Sequence, residues 1–181
     1  NKGKVAIDAA AKAENIAIAA AGLVAYVDAT SKVSLCSNFG EVNVPNSCTT
    51  LGDSSRSGVG GIVAYNEGII EDCFNNGPIS ASAQAVESYA AGIVAFNGDN
   101  AIIRNNQNAA AVGFGSKKGG SASEYIGAVG GVVAIANGEV TGNINEGDIT
   151  SSSNVQTLYI GGVTALWPEE CTKFENNEQA N

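Results

Sequence analysis

The stretch Gly60-Gly61-Ile62-Val63-Ala64-Tyr65-Asn66-Glu67-Gly68-Ile69-Ile70-Glu71-Asp72-Cys73-Phe74-Asn75-Asn76-Gly77 decides the fold, because its parts recur along the chain. The opening phrase returns as Ala21-Gly22-Leu23-Val24-Ala25-Tyr26, Ala91-Gly92-Ile93-Val94-Ala95-Phe96, Gly130-Gly131-Val132-Val133-Ala134-Ile135 and Gly161-Gly162-Val163-Thr164-Ala165-Leu166. The second glycines of the five copies lie 39, 31, 39 and 31 residues apart. A fixed phrase at a period of roughly 20–50 residues marks a stacked array. The closing Asn75-Asn76-Gly77 recurs as Asn1-Lys2-Gly3, Asn38-Phe39-Gly40, Asn108-Ala109-Ala110 and Asn145-Glu146-Gly147. Asn176 continues the series, with Glu178 in the place of the glycine.

Between these markers the apolar positions fall into register. One column reads Val5, Val42, Ile79, Val112 and Ile149; another reads Val33, Ile70, Ile103, Val140 and Cys171. Each unit carries three short apolar runs bounded by Gly, Asn, Asp and Ser, the signature of strands between turns. The expected fold is all-β: a parallel β-helix, or β-solenoid, of about five coils with three short strands per coil, forming one domain over residues 1–181. Strands about 4.8 Å apart make a rod roughly 24 Å long. Val5 to Ala21 is alanine-rich and has helix propensity, but Lys4-Val5-Ala6-Ile7 matches Glu41-Val42-Asn43-Val44 in register and reads as a strand. Strand alternation puts Ala25, Ala64, Ala95, Ala134 and Ala165 inward with Leu23, Ile62, Ile93, Val132 and Val163. Val24, Val63, Val94, Val133 and Thr164, with Tyr26, Tyr65, Phe96, Ile135 and Leu166, then face away. Either something covers that apolar set or a turn folds it inward.

The chain has 9 basic and 18 acidic residues and a formal net charge of −9. That excess argues against nucleic acid, whose phosphates need clustered Lys and Arg, and against anionic membrane surfaces. No apolar run approaches the ~20 residues that span a bilayer, so no membrane insertion is expected. No leader peptide is recognisable. The chain begins and stops in mid-coil, and it reads as a segment of a larger protein or assembly. Flanking repeats or other copies would then cover the coil ends.

The motifs offer little chemistry. The chain has no histidine, which excludes Ser–His–Asp and Cys–His nucleophile systems from it. Carboxylate pairs for glycosidase chemistry are Glu71 with Asp72, Glu146 with Asp148, and Glu169 with Glu170. Adjacent residues on a strand point to opposite faces, so only Glu146 and Asp148 share a side. Asn97-Gly98-Asp99-Asn100 and Asn137-Gly138-Glu139 offer oxygen ligands for calcium but are also ordinary Asn-Gly turns. Cys36 and Cys73 occupy one repeat position. Adjacent coils bring their Cα atoms within disulfide range, so they either pair or remain reduced core thiols. Cys48 lies in the loop between them, and Cys171 is expected as a buried thiol. The asparagines Asn38, Asn75, Asn108, Asn145 and Asn176 are read as a structural ladder, amide stacked on amide from coil to coil. The variable segments are Pro45 to Gly58, Gly113 to Glu124, Ser82 to Ser88 and Ser151 to Thr157. Arg56, Lys117 and Lys118 in the two longest form a possible binding edge for an acidic glycan or partner.

The unit at 60–77 resembles the GLUG repeat: a glycine pair with an aliphatic run, then Asn-x-Gly, then Ile-x-x-Cys and Asn-x-Gly. Here alanine replaces the last glycine of the phrase, and only Cys36 and Cys73 keep the cysteine. Such repeats occur in large bacterial surface and secreted proteins. The resemblance implies a parallel β-helix in an exported, extracellular or cell-surface protein and brings no catalytic residues with it. The expected function is a structural or adhesive repeat domain, not an enzyme, with no cofactor. Its expected partners are flanking repeats, other copies, or a host glycan or protein. The alternatives are a self-assembling extracellular filament subunit and a carbohydrate-binding or carbohydrate-active β-helix.

Overall fold

The computed structural model describes residues 1–7, 12–14, 17–51, 55–115, 125–168 and 171–180. Every element among them is a β-strand, and every strand pairing is parallel. The chain winds as a β-solenoid through five sheets, each five strands deep, close to the expected five coils. In one coil the strands are Val42–Val44 (sheet I), Arg56–Gly60 (II), Val63–Asn66 (III), Ile69–Glu71 (IV) and Phe74–Asn75 (V). An extra pair, Lys12–Glu14 with Thr49–Leu51, flanks the first two coils.

Five strands per coil replace the expected three. The apolar runs are where the sequence puts them, but two are cut by corners. Gly61 and Ile62 form a bend that divides sheet II from sheet III. A corner after sheet IV places Leu35, Asp72, Asn105, Gly142 and Asn176 at positive φ, between 51° and 65°. Gly, Asn and Asp tolerate that left-handed conformation; leucine does so at a cost. The column Val5, Val42, Ile79, Val112, Ile149 pairs as expected, as does Val33, Ile70, Ile103, Val140. The fifth member of the second column is Phe174, not Cys171. Sheet III ends at Leu166 in the last coil and sheet IV resumes only at Lys173–Glu175, a longer separation in sequence than in the other coils.

Three apolar clusters hold the coils together. Val42, Val44, Val59, Ile79, Val112 and Val129 fill the space between sheets I and II. Ile62, Val63, Ile70, Ile93, Ile103 and Val140 fill that between sheets III and IV. The third cluster joins Tyr89, Ala91 and Ala128 of sheet II to Ala95, Ala134 and Ile135 of sheet III. Sheets II and III therefore lie against each other; in sheet III the consecutive Ala134 and Ile135 both enter this seam, while Val133 and Ala136 enter the second cluster. The bend at Gly61 folds the coil back on itself.

This fold-back corrects the expected orientation of the repeated phrase. Ile62 and Val63 both enter the cluster between sheets III and IV, so alternation fails across the bend. Ala95, Ala134 and Ala165 of the alanine column face sheet II across the seam, whereas Ala25 in the first coil is exposed. Methyl size matters there because a Cβ at Gly60 would collide with the Val63 carbonyl, and one at Gly58 would sit 2.8 Å from the Tyr65 ring. Tyr65, Phe96, Ile135 and Leu166 line the same seam half-buried or buried, whereas Tyr26 in the first coil is 60% exposed. Tyr89 and Phe96 stack across it with ring centroids 6.2 Å apart.

Candidate functional site

The two sequence markers meet in the structure. Strand Phe74–Asn75 runs past the bend at Gly61, and a Cβ on Gly61 would lie 2.5 Å from the side-chain carbon of Asn75. Gly22 stands against Asn38, Gly92 against Asn108 and Gly131 against Asn145 in the same way. Each asparagine amide donates to its neighbour in the next coil. Asn1 Nδ2 reaches Asn38 Oδ1 at 3.1 Å, Asn38 reaches Asn75 at 2.9 Å, Asn75 reaches Asn108 at 2.8 Å and Asn108 reaches Asn145 at 2.7 Å. Each also closes its own turn: Gly77 N–H donates to Asn75 Oδ1 at 3.2 Å, and Asn75 Nδ2 donates to Gly77 O at 3.1 Å. The four inner asparagines are fully buried, with both amide protons satisfied, as a buried amide requires. The last rung is Gln179, whose Oε1 accepts from Asn145 at 2.7 Å. Asn176, expected in this ladder, lies instead in the positive-φ corner.

Two further amide columns escaped the sequence reading. Asn66 donates to Asn97 at 2.8 Å at the end of sheet III. Asn106 donates to Asn143, and Asn143 to Asn177, each at 3.0 Å. The second column continues the cysteine position, since Cys73 N–H donates to Asn106 Oδ1 at 2.9 Å. Its signal is an Asn two residues before Asn108 and Asn145, and two before Gln179 in the last coil.

The cysteines form no disulfide. Cys36 and Cys73 are free thiols in adjacent coils. Their sulfurs donate to Ser34 O and Glu71 O, each at 3.2 Å. Burial pushes the Cys73 thiol up to about 11, which leaves it unreactive at neutral pH. Cys48 is buried in the cluster between sheets I and II. Cys171 is half-buried and donates to Gly138 O at 3.1 Å; burial raises its thiol as well.

The carboxylates are not arranged as an acid–base pair. Glu71 is 8% exposed. It is gripped by Lys32 and by Arg104, whose Nε and Nη2 reach its Oε2 at 2.8 and 2.5 Å. The hydrogen bonds from Lys32 and Arg104 hold its carboxyl below the ordinary value, the opposite of a proton donor poised near neutrality. Asp72, Glu146 and Asp148 are exposed; Glu169 and Glu170 lie outside the described residues. Arg56 opens a strand of sheet II and pairs with Glu87 at 2.6 Å. Glu87 also accepts the Tyr89 hydroxyl at 2.7 Å. Lys117 and Lys118, the other two members of the expected binding edge, lie outside the described residues. In the turns considered for calcium, Asn137 Nδ2 donates to Asp99 Oδ1 at 3.0 Å. Among the described residues no three Cys, Asp or Glu side chains gather closely enough to hold a metal ion.

One concave feature stands outside these networks. On the outer face of sheet I a groove of about 240 Å³ is lined by Ser80, Ser82, Gly113, Gly115, Thr150 and Ser152, among others. These residues sit at or beside the start of three of the variable segments. The groove becomes visible once the residues following Ile79, Val112 and Ile149 are placed side by side.

No protein-family model matches this chain, and neither a curated protein nor a solved structure does. Among the described residues there is no helix long and apolar enough to cross a membrane.

Proposed function

We propose that this chain is a structural or adhesive repeat domain of a bacterial cell-surface or secreted protein, with no catalysis of its own. The observation that carries this reading is the interlock of the two recurrent markers. The glycines that recur are those whose Cβ would strike the neighbouring coil, and the asparagines that recur are rungs of a buried ladder. Recurrence in this chain is thus accounted for by stacking. Long-range parallel stacking of coil on coil suits a spacer or display rod. The GLUG-like pattern supports the bacterial surface setting. Flanking repeats or further copies are the partners proposed for the end coils, and a host glycan or protein for the side of the rod.

The test is surface accessibility in the producing cell. Intact cells exposed briefly to a non-permeant protease should release solenoid fragments, detected by antibody or mass spectrometry, while a cytosolic marker stays intact. A protein protected in intact cells and recovered with the cytosolic fraction would overturn the reading.

A further inference from the structure

The groove on sheet I is left over from the architecture, and its glycines are the reason to examine it. At Gly61 and Gly131 a Cβ would collide with the backbone of the next coil, and Gly142 has φ +65°. Gly113 has neither excuse: the nearest atoms to its Cβ position are Ile79 O at 3.5 Å and Thr150 Oγ1 at 3.8 Å, ordinary contacts. The strand there is regular, with Ser80, Gly113 and Thr150 paired in consecutive coils. At Gly115 the nearest atom is the movable Ser82 hydroxyl at 2.9 Å. Glycine weakens a strand interior and marks a bulge, a bend, a close backbone or a ligand. At Gly113 the pairing and the open space leave the ligand.

We propose that this groove binds one ring of a neutral saccharide. The hydroxyls of Ser80, Ser82, Thr150 and Ser152 surround the space left by the two glycines, and each can both donate and accept, as sugar hydroxyls do. Among the described residues no basic or acidic side chain lines it. A charged ligand would find no countercharge among them, and an apolar one would leave the hydroxyls unpaired. The volume falls below the roughly 300–1,000 Å³ of pockets for drug-sized ligands, which suits a single ring. Phe114 is 2% exposed and offers no stacking face. Affinity therefore rests on hydrogen bonds alone, with a Kd on the order of 1 mM for a monosaccharide. The inference rests on the adhesive reading and names its ligand class.

The experiment is a ¹⁵N–¹H titration of the purified chain with glucose, galactose, mannose and N-acetylglucosamine. Glucuronate serves as the charged comparison. At least one neutral sugar should move the Gly113, Gly115 and Thr150 amides saturably, and glucuronate should not. Gly113→Thr completes the hydroxyl row and fills the notch, so it should weaken binding at least tenfold while the rest of the spectrum is retained. Thr150→Val, which keeps shape and removes one hydroxyl, should weaken it several-fold; this second variant decides the matter if the first does not fold. No saturable shift from any neutral sugar up to about 100 mM overturns the proposal, as does undiminished binding by both variants. The protease result is independent of it: a surface-exposed protein that binds no sugar loses the saccharide site alone, whereas a cytosolic protein loses the adhesive reading.

Discussion

Gly61 and Asn75 are mutually exclusive with any larger residue at position 61: the Asn75 side chain and the Gly92 carbonyl occupy the space a Cβ would need. The contact links the bend of the repeated phrase to the buried amide ladder, and it predicts a sharp contrast between glycines. Gly61→Ala should destabilise by about 3 kcal/mol, through overpacking against backbone that cannot move alone. Gly113→Ala should be neutral or stabilise by about 0.5–1 kcal/mol, as expected where a strand glycine is not sterically required. Urea midpoints of the two variants check this directly.

Removing a rung should cost more than removing an asparagine from the corner. Asn75→Ala leaves the buried Gly77 N–H and the Asn38 amide without their partners, at roughly 1–3 kcal/mol for each orphaned group. Asn176→Gly, at an exposed position with φ +53°, should change stability by less than about 0.5 kcal/mol. Equal losses from the two would contradict the assignment of the ladder.

Much of this was legible in the sequence, and the failures have physical causes. Columns such as Val42–Ile79–Val112 were readable because constant spacing between markers transfers directly into pairing. The last coil departs from the expected register because Leu166 and Lys173 lie farther apart in sequence than their counterparts, so that Phe174 and Gln179 take the places expected for Cys171 and Asn176. Strict alternation through Gly61 turns Val63 and Tyr65 outward; of the two alternatives left for that apolar set, the inward turn is the one the bend realises, with Ile62 and Val63 on one side. The saccharide groove depends on neighbours 33 and 37 residues from Gly113, in Ser80 and Thr150. No local motif signals them.

Leu35 is an exception within its own column. It is 83% exposed and held at φ 54°, where the equivalent residues are Asp72, Asn105, Gly142 and Asn176. Leu35→Asn should stabilise by about 1 kcal/mol, since leucine pays a steric cost in that region that asparagine largely escapes. A lower melting temperature for the variant would show that the leucine side chain makes a contact worth more than the strain.

Stability should fall at both extremes of pH, for separable reasons. Glu71 is held below its ordinary value by Lys32 and Arg104. Its contribution is present above that ordinary value and is lost as pH falls through the lowered one. Glu71→Gln should flatten the acid side. Burial pushes Tyr65 up to about 12 from an ordinary 10.0. Its contribution is full below pH 10 and is lost as pH rises towards 12. The Tyr65 hydroxyl is buried with no hydrogen-bond partner, so Tyr65→Phe should keep or improve stability at pH 7 and remove part of the alkaline loss. Denaturant midpoints across pH 3–12 test both slopes.

The central claim, that the recurrent asparagines are rungs of a buried ladder, is tested most directly by hydrogen exchange of their side-chain amides. The Nδ2 protons of Asn75 and Asn108 each have two acceptors, one within the turn and one in the next coil. Asn76, beside them in sequence, is exposed. The account predicts that the Asn75 and Asn108 amides exchange orders of magnitude more slowly than Asn76, at rates set by opening of the coils. Exchange of Asn75 and Asn108 as fast as Asn76 would contradict it.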